Sequence, residues 1–381
     1  MSCPHCREDA RFVNYRGKRV TTLLGNIRLP RAYYHCPHCS QGCCPWDQTL
    51  RVLKRRTPGA EEVLTLLGTS DSFVQVADRT LYKATGLDLS ESTIQRATEA
   101  AGKRLGEMLE TKQLRLLAAQ PWQWHKDRDG QTCAYVSVDA TGVMMQGPGA
   151  AQADGRMAYV GMLFNPQPLE AADHAVCKPC DNRFYLAGHY GLPALGKQLR
   201  HQAEALGIRS ARRWIALTDG GNGLEDWIDL HFPRSIKILD FRHAAEYLGT
   251  LAAAYSKGDA QAYLSRWCHV MKHEGGEAIW SVLRQLDRRT MTATAKEAHR
   301  AVLRYFENNL HRMKYPEYVA KGWQIGTGAV ESACKTVVNQ RLCLGGMRWV
   351  EDGSDAVCHL RALFRSDPEH WDTFWATYTA A

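Results

Sequence analysis

The chain has 381 residues, 45% of them hydrophobic and 23% charged, the balance of an ordinary globular protein and more than one hydrophobic core usually fills. No run approaches the roughly 20 apolar residues of a membrane span, and the opening MSCPHCRED lacks the basic and apolar regions of a secretion signal, so neither membrane nor export is expected. The net charge of +8 is confined to one end: residues 1–60 hold 11 Lys or Arg against 3 Asp or Glu, and the rest balances at 37 of each.

Such a basic end favours a polyanionic partner, because phosphate neutralisation supplies most non-specific affinity for nucleic acid. It also contains the first motif. Cys3-Pro-His-Cys6 and Cys36-Pro-His-Cys39 are identical knuckles separated by strand formers. A hairpin through Arg11–Tyr15 and Val20–Tyr34 returns the second to the first, and Cys3, Cys6, Cys36 and Cys39 then complete a closed tetrahedral site for structural Zn²⁺. Thirteen cysteines without an export signal argue for thiols and metal ligands over disulfides. Cys43 and Cys44 read as bystanders, and the lone pair Cys177 and Cys180 is not read as a metal site.

After Lys54-Arg55-Arg56 and the breaker Pro58-Gly59, residues 61–110 read as helical. Ser72–Thr85, Gly86 and a helix capped by Ser90 have the outline of a helix-turn-helix, whose second helix meets DNA with its first turns. Ser92, Thr93, Gln95 and Arg96 are then the contacting candidates, with Lys54, Arg55 and Arg56 on the phosphates. An ordinary helical hairpin fits the same pattern.

From about residue 131 short β-branched runs alternate with helices. Cys133–Val138, Ala158–Phe164, Trp214–Thr218 and Ile236–Leu239 read as strands, and Leu192–Leu206 and Gly223–His231 as helices, giving an α/β sheet. Residues 241–324 read as an all-helical insertion: Ala245–Ala254, Ala260–His273, Ala278–Leu286 and Ala295–Leu310. A helix over Ala329–Leu342 follows, then a helical tail. Trp267, Trp280 and Trp323 suit either core packing or stacking on an extruded base.

Asp139 ends the run YVSVD and Asp219 ends WIALTD. Carboxylates at the C-terminal ends of neighbouring strands lie beyond the buried part of the sheet, where they can bridge hard cations, although both sequences also occur in turns. Glu331 lies one turn into the helix after the insertion. The order strand-Asp, strand-Asp, helical insertion, helix-Glu is that of an RNase H-like core. Three such carboxylates suit two Mg²⁺ ions, with Mn²⁺ as a substitute, one activating the attacking oxygen and one stabilising the departing 3′-oxygen.

The stretches TLLGNIRLPRAYYHCPHC, YVSVDATGV, ALTDGG, ILDFRHAAEYL and IGTGAVESACKTVVNQRL with GMRW resemble, over nearly the whole chain, the DDE transposases of the ISKra-four insertion-sequence family in the Mutator-like group. The resemblance implies Asp139, Asp219 and Glu331 as the catalytic triad and Mg²⁺ ligands. Asp240 and His243 match that group's Asp-x-x-His pattern, which implies active-site support; Asp240 also suits the cap of a helix beginning at Phe241. Lys335, Arg341 and Arg348 suit phosphates near the same end, or, for Lys335, an ion pair with Glu331. Similar proteins often carry sequence ahead of the first knuckle, which leaves the extent of end recognition open.

The expected architecture is an α/β RNase H-like core with a helical insertion, preceded by a zinc ribbon and a helix-turn-helix-like module. The boundaries are 1–56 for the ribbon, 57–120 for the helical module, 131–240 for the first part of the core, 241–324 for the insertion, and 325–381 for the Glu helix and tail. The expected function is a transposase that binds double-stranded DNA at terminal inverted repeats and target, acts as a homodimer or higher oligomer, and is cytoplasmic and nucleoid-associated. A domesticated DNA-binding regulator, or an RNase H-like structure-specific nuclease without strand transfer, shares the same residues.

Overall fold

A computed structural model describes every residue except 53–54, 114–120, 152, 168–175, 177–179, 222, 257 and 381. The chain divides into two compact units, one formed by Met1–Leu114 with Asp355–Arg361 and Trp371–Ala381, the other by Arg115–Ser354 with Ala362–His370. No helix among the described residues is long and apolar enough to cross a membrane.

The first unit begins with an antiparallel hairpin, β1 (Arg11–Thr22) and β2 (Gly25–His35), with the two-residue strand β3 (Gly42–Cys43) on its edge. The turn lies at Leu23-Leu24, not between Tyr15 and Val20 as the sequence suggested. Gly25 supplies the turn with φ +111°, and the Thr22 hydroxyl accepts from Leu24 N–H at 3.1 Å. Gly17 lies within the strand opposite Pro30, where its missing side chain makes room for the Arg28 guanidinium.

Helices Pro58–Ser70 and Glu91–Glu110 follow, with Pro58 at the first helical position, where its lacking N–H costs nothing. Between them the stretch expected as one helix is broken into Phe73–Gln75, a π-helical turn Val76–Thr80 and Leu81–Thr85. Gly86 ends it in the left-handed region at φ +71°. Ile94, Ala97, Ala101, Leu105 and Met108 form the buried stripe of Glu91–Glu110, at the three- and four-residue spacing of a helix face. The closing segment, expected to join the core whole, is shared instead. Arg361 donates to the Thr69 carbonyl at 2.9 Å, Trp371 to Glu62 at 3.0 Å, and a side chain on Gly102 would collide with the Ala356 backbone.

The second unit is built on a five-stranded mixed sheet: β4 (Cys133–Val143), β5 (Arg156–Pro166), β6 (Cys180–Gly188), β7 (Arg213–Thr218) and β8 (Ile236–Leu239), in the order β6-β5-β4-β7-β8. β4, β5 and β6 are antiparallel neighbours, while β4, β7 and β8 run parallel. Helix Leu192–Ala205 leads into β7 and Leu224–His231 joins β7 to β8. The sheet interior is apolar, with Val136, Val138, Val160, Met162, Phe184, Ile215, Leu217 and Ile238 buried, as strands covered on both faces require. After β8 come helices Phe241–Tyr255, Ala260–Glu274, Gly276–Arg284 and Ala293–Asn309. The helix expected over Ala329–Leu342 is three pieces, Gly328–Ala333, a π-helical segment Cys334–Asn339, and Gln340–Leu342. The widened turn changes which side chains share a face after Glu331.

Candidate active site and metal centres

The parallel register of the sheet aligns three carboxylates. Ser137 pairs with Leu217 across β4 and β7, so two residues further along each chain stand Asp139 and Asp219, on strands about 4.8 Å apart. Thr218 pairs with Leu239 across β7 and β8, so Asp219 and Asp240 are likewise level. All three leave the C-terminal ends of parallel strands, where side chains project past the hydrophobic layer.

Each is held differently. Asp139 is half-buried, and its Oδ1 accepts from Ala140 N–H at 2.7 Å. Burial raises its pKa, the Ala140 amide opposes this, and the Asp219 charge adds to the rise. Asp219 accepts from Gly221 N–H at 3.0 Å. Asp240 is 1% exposed and caps Phe241–Tyr255, accepting from Arg242 N–H at 3.0 Å and His243 N–H at 3.4 Å. It also accepts from Thr327 N–H at 3.1 Å and stands 2.5 Å from the Thr327 hydroxyl, which lies 3.0 Å from Glu331 Oε1 on its other side. That hydroxyl carries one proton between two carboxylates. Burial, and next the Asp240 charge, raise the Glu331 pKa.

Asp139 faces Asp219, and Glu331 faces Asp240, but the carboxylates of Asp139, Asp219 and Glu331 do not gather within 4.8 Å of one another. The tight convergence expected from the sequence is not met. Burial raises the pKa of both Asp139 and Glu331, with the Asp219 charge adding to the first and the Asp240 charge to the second. Hard oxygen donors, half-buried at Asp139 and Asp219 and exposed at Glu331, are of the kind that fits a hard divalent cation.

The turn after Asp219 is gripped from the helical segment. Arg312, 2% exposed, donates to the Thr218 hydroxyl at 3.1 Å and the Asp219 carbonyl at 3.4 Å, and also bonds Asn309. Gly220 N–H donates to the Tyr305 hydroxyl at 3.2 Å. Tyr305 stacks on Tyr247 with centroids 4.0 Å apart, and both rings meet His243 edge-on. These groups and Arg304 line a cleft of about 600 Å³ that opens on Asp219. Sequence reasoning missed Thr327, Tyr305 and Arg312. The buried basic side chain shows only as charge in a sequence, and nothing there ties it to a strand 93 residues earlier.

The four cysteines of the knuckles do converge. Their sulfurs lie within 4.8 Å of one another, Cys3 to Cys39 and Cys6 to Cys36 each at 3.6 Å. A tetrahedron with Zn–S bonds of about 2.3 Å has edges of about 3.8 Å. The residue after each second cysteine, Arg7 and Ser40, is left-handed at φ +67° and +56°, so both knuckles fold back alike. The sulfurs do not ionise alike. Amide hydrogen bonds at Cys6 and His5 lower Cys3 to about 6, whereas Cys6 stands at about 12, the Glu8 amide lowering it but burial and the neighbouring sulfurs outweighing that. This cluster can hold a structural zinc ion. Among the described residues it is the only such group of His, Cys, Asp or Glu, and Cys43 and Cys44 stand outside it. Cys177 lies outside the described residues, and Cys180 begins β6.

The basic and polar candidates are scattered. Ser92 and Arg96 are exposed on the first turns of Glu91–Glu110, Arg96 Nε donating to the Ser92 carbonyl at 2.9 Å. Thr93 is tied to Ser90 at 2.9 Å and Gln95 to Glu99 at 2.8 Å, both half-buried. Arg55 is exposed, Lys54 lies outside the described residues, and Arg56 is engaged by Glu61, making it part of the fold. Lys335 and Arg348 are exposed. Arg341, expected at a phosphate, is 1% exposed with its guanidinium 5.0 Å from the Trp349 ring centre, so it serves packing instead. Trp267 and Trp323 are buried: Trp267 packs on Tyr263, and Trp323 packs on Tyr318 and donates to Asp127 at 3.0 Å. Trp280 lies under the Arg284 guanidinium at 4.6 Å.

No protein-family model and no curated protein matches the chain. Among solved structures it is similar to the Drosophila P element transposase strand transfer complex, at 9% identity over 82% of this chain and 93% of that chain, with a TM-score of 0.37. A likeness at that level carries no argument about activity.

Proposed function

We propose that this protein is a DDE transposase of a bacterial insertion sequence, cutting element ends and joining them to target DNA on an RNase H-like core. The observation that carries the proposal is the register that levels Asp139, Asp219 and Asp240 across three parallel strands, with Glu331 tied to the last through Thr327. The mixed sheet, antiparallel through its first three strands and parallel through its last two, supports an RNase H-like reading, as do the motifs shared with ISKra-four enzymes.

In this reading Asp139, Asp219 and Glu331 hold divalent cations, and Asp240 orients Glu331 through the Thr327 hydroxyl while ending the strand beside Asp219. Mg²⁺ bound there supplies Lewis-acid assistance to displacement at phosphorus. In cleavage the bond from phosphorus to the 3′-oxygen breaks and water provides the entering oxygen. In transfer the freed 3′-hydroxyl attacks a target phosphorus at the same carboxylates, the target's bond from phosphorus to its 3′-oxygen breaks, and that oxygen leaves as a hydroxyl carrying the proton the attacking group gives up. Arg312 and Tyr305 fix the turn that carries Asp219, and exposed Lys335 and Arg348 meet DNA phosphates. His243 lines the adjoining cleft. The ribbon and the helical module, within 1–120, bind element ends through Arg55, Ser92, Thr93, Gln95 and Arg96, residues 131–240 and 325–381 supply the core, and 241–324 the insertion. Assembly on paired ends is as a dimer or larger oligomer.

The test is end cleavage and strand transfer in Mg²⁺ by Asp139→Asn, Asp219→Asn and Glu331→Gln. Each loses about 10³-fold or more in rate, since the metal site supplies several kcal/mol to the transition state, while binding to end DNA persists. Full activity of any one variant rejects the triad. Hydrolysis with no joining to target rejects transposition and leaves a nuclease.

A further inference from the structure

A second cleft, of about 610 Å³, lies at the other end of β7 from Asp219, lined by Arg200, Arg209, Arg212, Arg234 and Trp214 among others. Two of the four guanidiniums, Arg200 at 3.0 Å and Arg209 at 2.8 Å, pair with Glu204. Arg212 and Arg234 are exposed, and neither has an acidic side chain within 4.0 Å among the described residues. Arg234 is also held in the left-handed region at φ +75°, a backbone conformation uncommon for a non-glycine residue. On the cleft wall the Arg200 guanidinium lies 4.7 Å from the Trp214 ring centre, and the Trp214 indole N–H donates to the Ile208 carbonyl at 2.9 Å. The ring is therefore fixed in place.

We infer that this arginine cleft is a phosphate-binding track for the backbone of a DNA duplex, separate from both the carboxylate site and the N-terminal module. Arg212 and Arg234, without acidic partners and lining one concavity with two further guanidiniums, gain from an anion that they can share. The planar two-pronged donor geometry of Arg matches phosphodiester oxygens in particular. From Trp214 to Asp219 is five residues of extended chain, about 16 Å. The cleft and the carboxylate site therefore lie at opposite ends of one strand. That it is DNA rests on the proposed function; the anion site itself does not.

The experiment uses the full chain with Arg212→Ala and Arg234→Ala combined, both exposed, so the fold is spared. Duplex binding is followed by fluorescence anisotropy across a salt series. Loss of two phosphate contacts makes the slope of log Kobs against log salt shallower by about 2. Arg288→Ala with Arg289→Ala, an exposed pair elsewhere in the same unit, is the control for net charge. An unchanged slope in the first pair, or an equal change in the control, overturns the inference. Titration with inorganic phosphate and with a mononucleotide, read by tryptophan fluorescence, separates the ligand sources: a mononucleotide response abolished by the double variant with an unchanged duplex slope overturns the DNA track. Asp219→Asn keeps the wild-type salt slope and loses cleavage. If Asp219→Asn still cleaves, the proposed chemistry fails while the cleft is judged on its slope alone.

Discussion

The cysteine cluster and the carboxylate site are both sets of metal-type ligands drawn from distant parts of the chain, yet one is gathered and the other is not. Four sulfurs meet within 4.8 Å, while the carboxylates of Asp139, Asp219 and Glu331 stand further apart. The difference is electrostatic. A hairpin and two tight turns bring the four sulfurs together, with backbone amides at Cys6 and His5 favouring the Cys3 thiolate. Carboxylate charges repel, and partial burial at the strand ends strengthens that repulsion. The cysteine site is thus gathered by the backbone, whereas the carboxylates are held apart on separate elements.

The largest expected effect breaks the first half of the contrast. Structural zinc sites contribute on the order of 10 kcal/mol or more to the fold of their domains, so Cys36→Ser is expected to abolish stoichiometric zinc and leave residues 1–50 open to proteolysis. Metal analysis of the purified chain and limited digestion check it. Unchanged zinc content would mean that Cys43 or Cys44 can replace a ligand, and the four-sulfur assignment would need revision.

A smaller effect sharpens the second half. Thr327→Val removes the hydroxyl between Asp240 and Glu331, leaving two carboxylates in direct repulsion. Loss of a charge-assisted hydrogen bond of about 1.5–3 kcal/mol predicts a fall in cleavage rate of roughly 10- to 100-fold, recovered in Thr327→Ser. A rate like the wild type in Thr327→Val would show that the hydroxyl does not position Glu331.

The smallest effect concerns pH. Asp139 has a folded-state pKa above its ordinary 3.8, so its ionisation opposes folding at neutral pH. That penalty is complete above the raised folded value and fades as pH falls through it toward 3.8. In chelator, Asp139→Asn is therefore expected to melt higher than wild type at pH 7, by about a few degrees, and the gap closes as the pH is lowered. Added Mg²⁺ raises the wild-type melting temperature and leaves that of the variant nearly unchanged. Thermal scans across pH decide it; a gap that widens toward acid would mean that the repulsion is not at Asp139.

The sequence carried the features that are local in the chain. The paired CPHC spacings announce a thiolate cluster, β-branched runs mark β4, β5, β7 and β8 within a few residues, and an Asp at the end of a strand is visible because the apolar run stops there. Helices through the 241–324 segment follow from their periodicity in the same way. Features set by distant partners left no comparable trace. The hairpin turn lies at Leu23-Leu24 and not between Tyr15 and Val20 because cross-strand pairing selects the turn, and β6 went unread because its partner β5 defines it. The π-helical segment after Glu331 and the burial of Arg341 on Trp349 were equally silent. Arg312 beneath Asp219 and Thr327 between two carboxylates exist only where separate segments fold onto one end of the sheet. Spacing and periodicity record what a residue does with its near neighbours; which remote group it meets, and whether charge lets them meet closely, is decided by the packed structure alone.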